Sequence, residues 1–185
     1  KNLIYKIPNG FDSELFYPRK KSQNTVPKLL FVGRLVSQKG VKTLLKIALE
    51  LKKQISFELI IVGDGPKRKY MESYCRMNNL FPECVFLGKI KQSELSEIYA
   101  VSDLLLAPSV SEGMSLTIIE ALSCNLHVVT ANVSGAKETI ISEEKGVIVE
   151  KNNYKYFTKY IINYLKINHN GKINVNKCDA VSNQE

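Results

Sequence analysis

The chain has 185 residues, 44% of them hydrophobic, enough to bury one substantial core and too few for two comfortable domains. Its net charge of +8 calls for an anionic partner, which leaves nucleic acid, an acidic membrane surface and a phosphorylated small molecule open. No stretch approaches the ~20 apolar residues of a spanning helix, and the opening KNLIYKIPNG lacks the apolar run of a secretory leader, so neither is expected.

In chain order, residues 6–18 (KIPNGFDSELFYP) form a turn-rich, proline-bounded stretch that reads as a linker entering a domain. We therefore divide the chain into a linker and domain entry (1–18), a Rossmann-like domain (19–167) and an irregular tail (168–185). Apolar runs predict strands at 28–33 (KLLFVG), 57–63 (FELIIVG), 85–88 (VFLG), 103–108 (DLLLAP), 127–131 (HVVTA) and 146–149 (GVIV). Between the first two, apolar Val41, Leu44, Leu45, Ala48 and Leu51 predict a helix over 41–54. A second helix is predicted over 93–101 with Ser93 as its N-cap, and a third from near Ser115.

Strands apolar on both faces, alternating with amphipathic helices, predict a parallel sheet covered on both sides: the α/β, doubly wound, Rossmann-like layout. Such sheets bind ligands at the carboxyl ends of their strands, which directs attention to the loops after Gly33, Gly63, Gly88, Pro108 and Ala131.

Three of these loops carry candidate chemistry. GRLVSQKG (33–40) places Gly33, Arg34 and Lys39 between a strand and a helix N-terminus, which suits a phosphate; two exposed cations on a loop explain the segment equally well. GDGPKR (63–68) has Arg68 where a dinucleotide fingerprint wants its third glycine, and the Walker pattern fails too, so a tight turn is expected, with Pro66 at the first position of a helix. SEGMSLTIIEA (111–121) carries Glu112 just before a helix start and Glu120 inside an apolar helical stretch. A carboxylate there needs a partner, and vicinal sugar hydroxyls are suitable donors. The amides of Gly113, Met114, Ser115 and Leu116 suit an anion or a sugar oxygen. A solvated Glu120 and a simple N-terminal charge at Glu112 remain the plain alternative.

The remaining features add little chemistry. The basic clusters at Arg19, Lys20, Lys21 and at Lys67, Arg68, Lys69 read as solvated loops rather than a nucleic-acid stripe. Cys75, Cys84, Cys124 and Cys178 are scattered, and no acidic pair reads as a metal site, so neither a zinc site nor a disulfide framework is expected and a reducing cytosol is the expected home.

Taken together and in this order, IPNGFD (7–12), FVGRL (31–35), Lys39 with Gly40, IVGDGP (61–66), FLG (86–88), PSVSEG (108–113), the Glu112 to Glu120 spacing and GAKE (135–138) resemble the C-terminal domain of the GT-B retaining glycosyltransferases of family 4. The resemblance covers roughly residues 5–150. It implies transfer of a sugar from a nucleotide-diphosphate donor, of UDP or GDP type, with retention of configuration and no cofactor. It implies that Arg34 and Lys39 bind the diphosphate beside Gly33, that Glu112 meets the donor sugar and orients it, and that Glu120 binds the ribose. By the same resemblance, the amides of Gly113 to Leu116 support sugar and phosphates, and the backbone at Lys89 and Ile90 meets the base. An N-terminal acceptor-binding domain, cell-surface polysaccharide or glycolipid synthesis, and peripheral association with the inner face of a membrane are further implications, and the fragment alone is expected not to turn over. The family usually has Gly and Pro where this chain has Asn125 and His127; Asn tolerates left-handed backbone, and His127 reads as a structural strand residue. A GT-B-fold epimerase, or a nucleotide- or polyanion-binding module, is the alternative reading.

Overall fold

The computed structural model describes residues 10–19 and 24–168. The start of the predicted linker, Lys20 and Lys21, Cys178 and the tail from 169 onward lie outside the described residues.

Six parallel strands form the sheet: β1 (Lys28–Val32), β2 (Glu58–Val62), β3 (Cys84–Gly88), β4 (Leu104–Ala107), β5 (His127–Ala131) and β6 (Gly146–Val149). The sequence placed each of them to within about one residue at either end. Their order is β3-β2-β1-β4-β5-β6, with Leu29 paired to Leu59 on one side of β1 and to Leu104 on the other. Chain direction across the sheet thus reverses between β1 and β4, and connections diverge there to leave a crevice at the carboxyl ends.

The strands are apolar on both faces because both are covered. Alternate residues Leu29, Phe31, Leu59 and Ile61 pack under α1 (Val41–Lys52) and α6 (Tyr154–Asn168). Their neighbours Leu30, Ile60, Leu105 and Val128 pack with α3 (Gln92–Val101) and α4 (Leu116–Ser123) on the opposite face. Helix α1 buries Leu44, Leu45, Ala48 and Leu51, a stripe at three- and four-residue intervals, each leucine stabilising the fold by roughly 1.5–3 kcal/mol. Leu44→Ala would cost about 2–5 kcal/mol at such a site.

Two helix starts differ from expectation. Helix α2 (Arg68–Met77) begins after Pro66, because the Lys67 amide donates to Leu35 O (2.9 Å) and the Arg68 amide to Gly65 O (3.0 Å), holding the turn against the β1 loop. Helix α3 is capped at Lys91 rather than Ser93: the Glu94 carboxylate accepts the Lys91 amide (3.0 Å), moving the start upstream and leaving Ser93 in the first turn. Two helices were not anticipated, α5 (Ala136–Thr139) and α6. Helix α6 had a signal in Phe157, Ile161 and Leu165, four apart and all buried, among the lysines, tyrosines and asparagines of its outer face.

The two departures at the end of α4 are both accommodated. Asn125 takes left-handed backbone (φ 56°) and closes the helix, with the Leu126 amide on Ala121 O (2.9 Å) and its own amide on Leu122 O (3.0 Å). His127 is buried in β5, with Nδ1 on Glu144 O (3.1 Å), Nε2 on Tyr160 Oη (2.9 Å) and its ring stacked 4.1 Å from that of Tyr164. It is a structural strand residue.

Candidate functional site

The loops at the carboxyl edge of the sheet interlock. After β1 the chain makes a short helical turn (Ser37–Lys39) and enters α1 through Gly40, at φ 70°. A β-carbon on Gly40 would lie 1.8 Å from the Pro108 carbonyl oxygen, so only glycine lets the start of α1 abut the loop after β4. The same two loops are joined by the Val110 amide on Gln38 O (2.8 Å) and by Gln38 Nε2 on Ser111 O (3.1 Å). On the other flank, the Leu35 amide bonds Asp64 O (3.0 Å) after β2, and the Gly63 amide bonds the carbonyl oxygen of Gly88, the last residue of β3 (2.7 Å). Gly135, at φ 80° in the loop after β5, backs onto Gly113, whose carbonyl oxygen would lie 2.7 Å from a β-carbon there. Four loops distant in sequence, with the end of β3, thereby form one rim.

This closure brings Lys39 and Glu112 together. Lys39 Nζ is hydrogen-bonded to Glu112 Oε1, and Ser109 donates to Glu112 Oε2 (2.8 Å). Both side chains are largely covered, at 23% and 15% exposure, so the pair is less screened than a surface ion pair. The Lys39 stem runs over Gly33, its Cδ and Cε 3.6 Å from where a β-carbon would sit.

Arg34 lies to one side, exposed, with no hydrogen bond or ion pair on its guanidinium among the described residues. Together with Gly63, Asp64, Gly65 and Lys89 it lines an open cleft of about 680 Å³. Arg68, by contrast, is engaged: its Nε meets Glu72 (2.8 Å) and its Nη1 meets Asp64 (3.4 Å). The GDGPKR segment is therefore a braced turn, as expected. Ile90 is half-buried against the core, while Lys89 is exposed.

On the far side of the Lys39–Glu112 pair, α4 starts with Ser115 as N-cap; the Ser115 hydroxyl meets Thr117 Oγ1 (2.9 Å) instead of capping the backbone. Nothing lies within 4 Å of a β-carbon built on Gly113, so the approach to this helix start is open. Leu116 is exposed there, and Met114 lies between it and Gly113.

Glu120 sits one turn deeper and is 7% exposed. Its Oε2 accepts a hydrogen bond from the Tyr99 hydroxyl (3.0 Å), which also lies 3.3 Å from Thr117 O. Burial pushes the Glu120 carboxyl above its usual value, and the Tyr99 hydroxyl pulls it part of the way back. Burial, with the Glu120 charge second, pushes the Tyr99 phenol well up, so it stays a donor. Glu112 and Glu120 thus serve different surroundings: one faces a lysine at the rim, the other a tyrosine in the core.

Sequence reasoning missed Ser109, Gln38 and Tyr99. Ser109 had a local signal, since it lies three residues before Glu112 in the same loop; the partners of Gln38 and Tyr99 lie too far along the chain for any spacing to mark them. Among the described residues no group of three or more His, Cys, Asp or Glu side chains could hold a metal, and no helix is long and apolar enough to cross a membrane. A second groove, about 610 Å³ between α1 and α6, includes Glu50, Gln54 and Lys166 and lies toward the opposite end of α1 from Lys39.

Comparison with known proteins bears on the family and the fold. The family model described as glycosyl transferases group 1 matches residues 13–181. An uncharacterized glycosyltransferase of Methanocaldococcus jannaschii is 32% identical over 153 residues, covering 83% of this chain and 41% of its own. A GDP-mannose-dependent alpha-mannosyltransferase of Corynebacterium glutamicum is 29% identical over 163 residues, covering 83% of this chain and 37% of its own. The chain thus spans about two fifths of the length of these curated relatives. Among solved structures, the C-terminal domain of a group 1 family glycosyl transferase from Francisella tularensis superposes with a TM-score of 0.75 at 22% identity, covering 88% of this chain and 93% of that one, which establishes the shared Rossmann-like fold.

Proposed function

The chain belongs to the group 1 glycosyl transferases, and on that premise we propose that it is the donor-binding half of a retaining, GT-B, family 4 transferase that moves a sugar from a nucleotide-diphosphate sugar to an acceptor. The observation that carries the proposal is the rim of interlocked loops, where Lys39 and Glu112 meet beside the cleft lined by Arg34 and Lys89. Support for a nucleotide-sugar donor comes also from the relative named for its dependence on GDP-mannose. The proposed protein includes an N-terminal acceptor-binding domain, works in the cytoplasm or at the inner face of a membrane, and serves polysaccharide or glycolipid synthesis.

In this reading Arg34 and Lys39 take the diphosphate, which is also the leaving group. Cations placed where charge develops act in the transition state more than in the ground state, and removal of one such group typically costs on the order of 10²–10³ in rate. The amides of Gly113 to Leu116 add a helix N-terminus to that charge. Glu112 has a donor on each carboxylate oxygen, Lys39 on one and Ser109 on the other. With one lone pair of each oxygen engaged the carboxylate is a weakened nucleophile held in place, and its remaining lone pairs can accept sugar hydroxyls, which supports an orienting role with the leaving phosphate and acceptor meeting on one face of the sugar. Glu120 takes the ribose, and the backbone at Lys89 and Ile90 the base.

Calorimetric titration with UDP, GDP and ADP tests this. One nucleotide should bind, and Glu120→Ala and Arg34→Ala should each weaken it about tenfold or more, the loss of a hydrogen bond to a charged group. A chain that binds no nucleotide, or that is indifferent to both substitutions, is not a donor site of this kind.

A further inference from the structure

The two oxygens of Glu120 are not equivalent. Oε2 is held by Tyr99, whereas Oε1 has no hydrogen bond among the described residues. No fully buried side-chain oxygen in the described residues lacks a partner, so Oε1 keeps some contact with solvent although Glu120 as a whole is 7% exposed. Tyr99 is itself immobilised: it is 1% exposed, and the Phe16 ring meets it edge-on at 5.8 Å. Phe16 in turn belongs to the entry segment, where its amide bonds Asp12 O (3.0 Å) and the Asp12 carboxylate bonds the amides of Glu14 (3.0 Å) and Leu15 (3.2 Å).

We propose that Tyr99 is a positioning residue for donor binding, holding Oε2 so that the Glu120 carboxylate presents Oε1 alone, in one orientation, to the ribose hydroxyls. The proposal rests on the reading of Glu120 as the ribose anchor. Its physical basis is that a terminal carboxylate torsion is broad, so an untethered Glu120 would have to be ordered by the ligand at the ligand's expense. The same hydroxyl also opposes the burial that drives the carboxyl toward its neutral form.

The test is calorimetric titration of the native chain, Tyr99→Phe and Glu120→Ala with UDP and GDP and with their 2′,3′-dideoxy counterparts, between pH 5 and 8. Tyr99→Phe keeps the ring and removes one oxygen. It should weaken binding of the ribonucleotide about tenfold at pH 7, the loss of a hydrogen bond to a charged group, and leave the dideoxy ligand within about twofold. The pH at which ribonucleotide binding fades should also move upward, since the carboxyl loses the hydrogen bond that favours its charged form. An equal loss on both ligands, or an unchanged pH profile, overturns the proposal, because a tyrosine that merely supports the fold would do that. If Tyr99→Phe lacks a cooperative thermal transition, Phe16→Leu replaces it: this keeps the hydroxyl but frees the ring, and a loss confined to the ribonucleotide is expected, an equal loss on both ligands being the overturning result. A native chain indifferent to the ribose hydroxyls, with Glu120→Ala silent, overturns the ribose reading and this inference together. A native chain that discriminates the ribose, and a Tyr99→Phe chain that discriminates it just as well, overturns the inference alone.

Discussion

Lys39 and Glu112 are bonded across two loops that Gly40 and Pro108 press together, so the cation proposed for the diphosphate is already held by the carboxylate proposed for the sugar. Binding of a diphosphate must share or break that pair. Glu112→Gln, which leaves Lys39 with a neutral partner, is therefore expected to strengthen the binding of UDP or GDP by about two- to fivefold, the worth of a partly exposed ion pair. Lys39→Met is expected to weaken it about ten- to hundredfold. Calorimetry on the two variants reads the opposite signs; equal signs would mean that Lys39 does not face the phosphates.

Arg34 is exposed and unbraced, so its contribution should depend on charge and on the shape of its fork. Arg34→Lys is expected to recover only part of the affinity that Arg34→Ala loses, since lysine supplies a point charge without two parallel donors. Titrations at low and at high salt should show the native chain as the more salt-sensitive of the three and Arg34→Ala as the least.

Gly40→Ala should destabilise the chain by about 2 kcal/mol or more, from the left-handed backbone and the collision with the Pro108 carbonyl, lowering Tm by roughly 4–8 °C. Gly113→Ala is the contrast: a β-carbon there meets nothing within 4 Å, so Tm should hold while nucleotide affinity falls if ligand approaches that backbone. Differential scanning calorimetry on both variants separates fold from site.

Glu120 ties stability to pH. Burial raises its carboxyl in the folded chain above its value in the unfolded one, so the folded state binds the proton more tightly. Its contribution is thus most favourable below the unfolded value and is lost as pH rises through the folded one. Glu120→Gln should melt higher than the native chain at neutral pH, with the gap closing as pH falls toward 4; a gap that stays constant with pH would assign the difference to packing instead.

Much of this fold is legible in sequence because a doubly covered parallel sheet writes each strand as a short unbroken apolar run. Leu104, Leu105 and Leu106 needed no partner to be recognised. Helix α6 was missed because its buried Phe157, Ile161 and Leu165 are interleaved with exposed lysines and asparagines in a segment rich in isoleucine and tyrosine throughout. At the site, residue types were legible where a loop carries them together, as with Arg34 and Lys39. The pairings were not. Lys39 with Glu112, and Tyr99 with Glu120, join residues from separate βα units, and such pairings follow from which loops the strand order makes adjacent.

The strand order also sets the sequence of events by which the chain can fold. β1 is central, yet its second ladder, Leu29 with Leu104 and Leu30 with Leu105, joins it to a strand that lies beyond α1, β2, α2, β3 and α3. Until β4 has emerged, one backbone edge of β1 has no partner. Long-range parallel pairing of this kind is slow, and an open apolar edge is a template for a second molecule. Truncation before Leu104 should therefore yield aggregate rather than a smaller binding unit, and the rim of loops cannot close until both strands are in place.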